Sequence, residues 1–450
     1  MKLGVLKETY QHEKRVGLTP DIAKKICELG FSVTIEKGAG TDAGYLDEHY
    51  EKAGVHVEKD RNKVLADSDY VVIVSPLAAS DIKQLKKGAT LLGMVKPSQN
   101  GDHFTHYNHR KITTFALEML PRITRAQTMD VLSSQSNLAG YRAVLEAATA
   151  FGRALPLMMT AAGTIPAARV LVLGAGVAGL QAIATAKRLG AIVSAFDVRT
   201  AAKEQVQSLG AKFIEVDASE VGDGVGGYAK EMSAEYKAAQ MQKLASVITT
   251  QDIVITTALI PGKPAPILIT AEMVKSMRTN SVIIDLASEN GGNCALSEHG
   301  KIITKYDVKI SAPGNILSGI ATDASQLYAR NIFAFLKGIS TFADGKLQID
   351  WSDEIVKATL LTKDGSTVHS AFNKAKEEKE SASTEKLSLK SEGEQKEDVT
   401  KKTTTTNVAQ KPSSKETNTK SNVKLKSVAS ESESKPKVAA VKKETSKQEI

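Results

Sequence analysis

Along the first 370 residues, short apolar runs alternate with amphipathic stretches. Lys2–Leu6, Ser32–Glu36, Tyr70–Val74, Thr90–Met94 and Thr113–Ala116 read as buried strands, with helical or polar segments between them. Thr19-Pro20 starts a helix whose Ile22, Ile26 and Leu29 share one face until Gly30 ends it. A second series follows: Arg169–Leu173, Ala191–Asp197, Lys212–Val216, Asp252–Thr256, Ser281–Asp285 and Val308–Ile310. Strand and helix in alternation imply a mainly parallel, doubly wound sheet. From Thr322 to about Val368, helical patterning (Leu327, Ile332, Phe335, Leu336) and Trp351 suggest that the chain returns to complete the first unit. The expected architecture is α/β: two doubly wound Rossmann-like domains, one from residues 1–130 plus 320–370 and one from 135–318. A tail, 371–450, follows them.

The most informative stretch is Arg169 to Arg199. A β-branched apolar run leads into Gly174-Ala-Gly176-Val177-Ala178-Gly179, then a helix-forming segment to Leu189 and Gly190, then a second apolar run ending on Asp197. Gly174 permits the tight turn, Gly176 lets backbone approach a pyrophosphate, and Gly179 lets helix and sheet pack closely. The free N–H groups at the helix start favour the phosphate charge. Asp197 stands near the roughly 20-residue offset of a carboxylate that holds ribose hydroxyls. An acid there favours NAD over NADP; Arg199 is a counter-signal, since it can pair with a 2′-phosphate.

Composition changes this picture at the C-terminus. The chain carries a formal charge of +8, with 18 lysines against 13 acids from residue 371 onward. The basic character belongs largely to the tail, which gives no argument for nucleic-acid binding by the folded part. Phe372 is the tail's single aromatic, and a segment so poor in apolar surface is expected to be disordered. It reads as solvated filler, a tether or a contact to anionic lipid. Two cysteines, Cys27 and Cys294, suit a reducing compartment. Ala154–Ala186 is mostly apolar, but Pro156, Pro166, Arg169 and three closely spaced glycines break it, so no membrane span is expected. His103, His106 and His109 sit three apart beside Asp102, with no further acid or cysteine to complete a metal set, and read as a solvated helix face.

Pro121 to Asn137 is dense in hydrogen-bonding groups, among them Arg122, Arg125, Gln127, Asp130 and Ser133. It reads either as a capped crossover helix, with Arg122 or Arg125 paired to Asp130, or as a polar rim over a cofactor. Asp217–Tyr228 places four glycines around one aromatic, either a linker or a lid that brings Tyr228 to the cofactor. Thr257-Ala258-Leu259 follows a strand, where loops meet ligands.

Several of these segments resemble a known family. They are Arg122–Arg142, Ala161–Pro166, Gly174–Gly179, Phe196–Arg199, Gly226–Tyr228 and Thr257–Pro266. Together they are similar to the soluble NAD(H)-binding component, the first domain of the alpha subunit, of the Re/Si-specific, proton-translocating NAD(P) transhydrogenases. The likeness covers roughly residues 1–370. It implies that Arg122, Gln127, Asp130 and Ser133 position the nicotinamide, that Gly174, Gly176, Val177, Ala178 and Gly179 meet the pyrophosphate, and that Asp197, Val198 and Arg199 lie at the adenosine ribose. Thr257, Ala258 and Leu259 would line the same pocket, and Tyr228 would tip a mobile loop. It further implies a homodimer that passes hydride to NADP(H) on a partner subunit, coupled to proton passage through membrane-spanning alpha and beta subunits. The chain would then be cytoplasmic and peripheral to the inner membrane. The tail lacks the apolar spans of longer alpha subunits, as expected of a split form.

Hydride transfer between two nicotinamides removes no proton from a hydroxyl or amine, so proximity rather than acid–base chemistry is the requirement. Two other readings use the same fold. An enzyme of the alanine dehydrogenase type needs a lysine and a histidine in the first domain, where this chain reads Val72-Ile-Val-Ser75 and Gly93-Met-Val-Lys96. A non-catalytic NAD-binding scaffold would bind the cofactor and turn nothing over.

Overall fold

A computed structural model describes residues 1–216, 222, 230, 232–260, 263–343 and 346–373. Tyr228 and the tail from residue 374 lie outside the described residues. The first sheet holds β1 (Lys2–Val5), β2 (Ser32–Glu36), β3 (His56–Glu58), β4 (Tyr70–Val72), β5 (Thr90–Gly93) and β6 (Thr113–Ala116). These are parallel in the order β3-β2-β1-β4-β5-β6. An exposed hairpin, β7 (Met158–Thr160) and β8 (Gly163–Ile165), precedes the second sheet.

The second sheet contains β9 (Arg169–Leu173), β10 (Ile192–Phe196), β11 (Lys212–Phe213), β12 (Ile253–Thr256), β13 (Val282–Asp285), β14 (Lys301–Lys305) and β15 (Val308–Ala312). Its order is β11-β10-β9-β12-β13-β15-β14, parallel throughout except for β14. A small hairpin, β16 (Ser340–Ala343) with β17 (Lys346–Ile349), follows. Then β18 (Leu360–Lys363) and β19 (Ser366–Thr367) extend the first sheet antiparallel beside β6.

Strand order reverses between β1 and β4 in the first sheet and between β9 and β12 in the second. Such reversals open a crevice at the carboxyl ends of the strands. The helix Val131–Phe151 joins the two halves: Val131 belongs to the first core, and Ala143, Val144, Ala147 and Phe151 to the second. The helix Ala321–Gly338 returns Tyr328, Ile332 and Phe335 to the first core, where Phe335 meets Phe115 edge-on at 5.6 Å. Full burial of each such side chain stabilises by roughly 1.5–3 kcal/mol.

The elements depart from the sequence reading in several places. Helical structure in the returning segment stops at Gly338, and two hairpins and a short helix, Glu354–Thr359, follow. The expected strand Lys212–Val216 keeps only Lys212–Phe213. Phe372, counted with the tail, packs on Phe104 at 5.4 Å. His103–His109 is a helix, but only His109 of its three histidines is exposed; burial, then neighbouring His106, pushes the His103 imidazole down. No described helix is long and apolar enough to cross a membrane.

Candidate functional site

At the reversal of the second sheet, the chain leaves β9 through Gly174, whose φ of +96° is a conformation an L side chain rarely adopts. A Cβ there would lie 2.8 Å from Thr257 Oγ1, and that hydroxyl donates to Gly174 O at 2.9 Å. The glycine turn and the Thr257–Leu259 loop therefore meet across the crevice. Ala258 N and O are both held by the Asn293 side chain, at 3.0 and 2.9 Å. Leu259 is exposed.

The helix Val177–Arg188 starts from Gly176 with no side-chain cap. A Cβ on Gly176 would meet nothing within 4 Å, so this backbone is open to close approach, whereas one on Gly179 would meet Gly174 O at 1.8 Å. Open amides at a helix start, beside a glycine turn, suit a pyrophosphate. Asp197 follows β10, and its carboxylate accepts from Ala175 N (2.7 Å), Arg199 N (2.9 Å), Arg199 Nε (2.9 Å) and Arg199 Nη2 (2.8 Å). Arg199, the residue read as a counter-signal, thus forks onto Asp197. Val198 O accepts from Gly222 N at 3.1 Å. These residues fit a dinucleotide whose ribose would share Asp197 with Arg199.

The polar segment is a 3-10 turn, Thr124–Met129, leading into the Val131–Phe151 helix. Arg122 and Gln127 are exposed. Asp130 caps the helix, accepting from Ser133 N at 2.9 Å and Ser133 Oγ at 2.5 Å. Arg125 does not pair with Asp130 as one reading expected. It forks onto Asp353, at 2.7 and 3.0 Å, because the returning segment brings that acid alongside. Asn331 completes the support: its amide donates to Thr128 O (2.8 Å), and its Oδ1 accepts from Ser134 Oγ (2.7 Å). Beneath the turn, Met129 packs where a Cβ on Gly338 would stand.

The first sheet's reversal is filled differently. Glu8 accepts from Val74 N at 2.6 Å and Ser75 N at 3.2 Å. The residue keeps intermediate exposure, but its carboxyl is enclosed, and burial pushes it up to about 8. Nearby, Glu13 and Arg15 form a buried fork at 2.6–2.9 Å, joined by Ser75, Gln135 and Asn315. Burial alone would raise the Glu13 carboxyl; the Arg15 guanidinium outweighs it and holds the group below its ordinary value. Lys96, at φ +47°, pairs with Glu289 from the second sheet's side and lies 5.0 Å from the Tyr10 ring centroid. Gln99 reaches Asn290 at 3.3 Å. Sequence reasoning missed this pair between loops of the two sheets and the Asn331 and Asp353 supports, all between residues far apart in the chain. Among the described residues no group of His, Cys, Asp or Glu is placed to hold a metal.

Two domain models match the chain: the alanine dehydrogenase/PNT N-terminal domain over residues 4–139 and the C-terminal domain over 143–370. The chain is 50% identical over 379 residues to the first part of NAD(P) transhydrogenase subunit alpha of Rhodospirillum rubrum, covering 83% of this chain and 99% of that one. It is 44% identical over 368 residues to NAD(P) transhydrogenase subunit alpha of Cereibacter sphaeroides, covering 81% of this chain and 70% of the relative. The crystal structure of transhydrogenase from Sinorhizobium meliloti superposes with a TM-score of 0.74 at 47% identity, over 82% of this chain and 100% of that one.

Proposed function

The chain belongs to the alanine dehydrogenase/PNT family, and within it we propose that it is the NAD(H)-binding subunit of a proton-translocating NAD(P) transhydrogenase. It would exchange hydride with NADP(H) on a partner subunit. The observation that carries this reading is the open glycine turn meeting Thr257 at the second reversal, in a chain that spans 99% of a relative named as the first portion of a transhydrogenase alpha subunit. We take residues 1–130 plus 320–370 as one domain and 135–318 as the other.

Bound at this crevice, the dinucleotide supplies a hydride donor or acceptor at its nicotinamide ring. The chain's task is then to bind and orient. Gly174, Gly176, Val177, Ala178 and Gly179 present backbone to the pyrophosphate; Asp197, with Val198 and Arg199, orients the adenosine ribose; Thr257, Ala258 and Leu259 close the opposite wall. Arg122, Gln127, Asp130 and Ser133 hold the ring. Transfer needs the reacting carbons roughly 3–3.5 Å apart and aligned. Tyr228 would cover the bound cofactor.

The partners follow from the same reading: membrane-spanning alpha and beta subunits, through which the chain is peripheral to the cytoplasmic face of the inner membrane, and a second copy of itself. The hairpin of β7 and β8 supports the dimer, since Leu157, Met158, Met159 and Ile165 are exposed, Met159 at 82%. Against an amino-acid dehydrogenase, the corresponding strands Val72-Ile-Val-Ser75 and Gly93-Met-Val-Lys96 carry no histidine.

The test is NADH oxidation by the purified chain. With an NADP analogue and the partner NADP-binding subunit, turnover is expected; with pyruvate and ammonium alone, none. Oxidation in the second mixture would establish the dehydrogenase reading instead.

A further inference from the structure

Among the described glycines, Gly140 stands in a close helix–helix contact that no fingerprint motif accounts for. It lies in the middle of the Val131–Phe151 helix, where glycine costs roughly 0.5–1 kcal/mol relative to alanine. A Cβ there would lie 2.0 Å from Ala178 O, 2.8 Å from its carbonyl carbon and 3.0 Å from its Cα. All three are backbone atoms, so the contact is not relieved by turning a side chain. It joins the crossover helix to the first turn of the Val177–Arg188 helix, whose open amides face the crevice. One turn toward the N-terminus, Asn137 donates to Gln181 Oε1 at 3.3 Å and fixes the same register.

The crossover helix also begins at the other half of the site, since Asp130 is its cap and Ser133 its first-turn partner. Seven residue steps of α-helix carry the chain from Ser133 to Gly140, a rigid span of roughly 10 Å. We propose that Gly140 is a positioning residue that sets the distance between the pyrophosphate end and the nicotinamide end of the dinucleotide crevice. This rests on the proposed NAD(H) site and adds to it a device for measuring the cofactor's length. Helix and helix approach backbone to backbone at one point; from that point, one rod carries the ring-holding groups and the other carries the phosphate-facing amides.

A methyl group at residue 140 would need roughly 1.4 Å of separation to reach ordinary contact with the Ala178 carbonyl oxygen, and a misplacement of about 1 Å can cost on the order of 100-fold in rate. The experiment compares Gly140→Ala with the unaltered full chain, measuring melting temperature and the dissociation constants of NADH and of ADP-ribose. ADP-ribose lacks the nicotinamide and re-seats with the displaced helix; NADH must span both ends. The expected result is at least tenfold weaker NADH binding with ADP-ribose changed less than threefold.

Equal weakening of both ligands, or no change in either, would overturn the proposal. Gly40→Ala serves as a control, because its Cβ would also strike backbone, Tyr45 O at 2.7 Å, within the first domain. It should lower stability and leave both affinities alone. If Gly140→Ala does not fold, Asn137→Ala decides: NADH binding two- to threefold weaker at unchanged melting temperature supports the ruler, and unchanged NADH binding refutes it. If the unaltered chain binds neither ligand, the NAD(H) reading itself fails, and the two failures remain distinct.

Discussion

The same parallel strand order, with one reversal, occurs over five strands of each sheet in this chain, and the two crevices have opposite contents. At the first reversal, between β1 and β4, the chain fills the space with its own polar groups: the Glu8 carboxyl on the Val74 and Ser75 amides, and Glu13 forked onto Arg15. At the second, between β9 and β12, glycines expose backbone, and no side chain caps the helix start. Doubly wound topology therefore offers a ligand site without ensuring one. Whether the crevice stays open is decided by a few residues just past the strand ends.

The contrast can be broken from either side. The largest expected effect is at Glu8, whose carboxyl is raised from 4.5 to about 8 by burial. The folded state then holds a proton that the unfolded chain releases above 4.5. The group's contribution is complete below that value and is lost as pH climbs through about 8. A shift of this size corresponds to roughly 5 kcal/mol. The unaltered protein should lose melting temperature between pH 5 and 8, and Glu8→Gln should flatten that slope. The readout is the slope, because the amide keeps a single acceptor oxygen for two backbone donors.

Arg15→Ala comes next. It strands Glu13 in the interior and should cost roughly 3–5 kcal/mol in denaturant unfolding, with NADH affinity intact where the protein remains folded. Equal damage to both quantities would mean that the first crevice takes part in binding. Last, Gly174→Val forces a β-branched residue to φ +96° against Thr257. It should weaken NADH at least 100-fold in a binding titration, roughly 2.8 kcal/mol. Retained binding would move the site away from the glycine turn.

What was legible in the sequence was what neighbouring residues decide. The glycine spacing, the apolar run of β9 and the acid after β10 lie within some thirty residues, and local sterics fix their conformation. The expected parallel strands appear with shifted ends. What escaped was chosen by tertiary contact. Arg125 had an acid five residues away in Asp130, yet Asp353 takes it, because Asp130 caps the helix through Ser133. The Lys96–Glu289 pair joins loops that follow strands of different sheets, β5 and β13, and neither residue carries a local signal. β14 is an antiparallel edge, with Ile302 73% exposed, so its pattern lacks the continuous apolar run that marks its neighbours. The roles given to Arg122, Gln127, Asp130 and Ser133 rest on resemblance; of the four, Asp130 and Ser133 stand at the start of the crossover helix.

The strand β18 has a consequence for how the protein is made. It seals the edge of β6 only after Leu360 has been synthesised, 244 residues after Ala116, and Tyr328, Ile332 and Phe335 reach the first core equally late. At about 5–20 residues per second, a nascent chain waits roughly 12–50 s with that edge and cavity unfilled. Meanwhile β9 to β15 emerge as one uninterrupted stretch. The half of the molecule that begins first on the ribosome is therefore the half that finishes last, and its unsealed edge is where a chaperone would have most to protect.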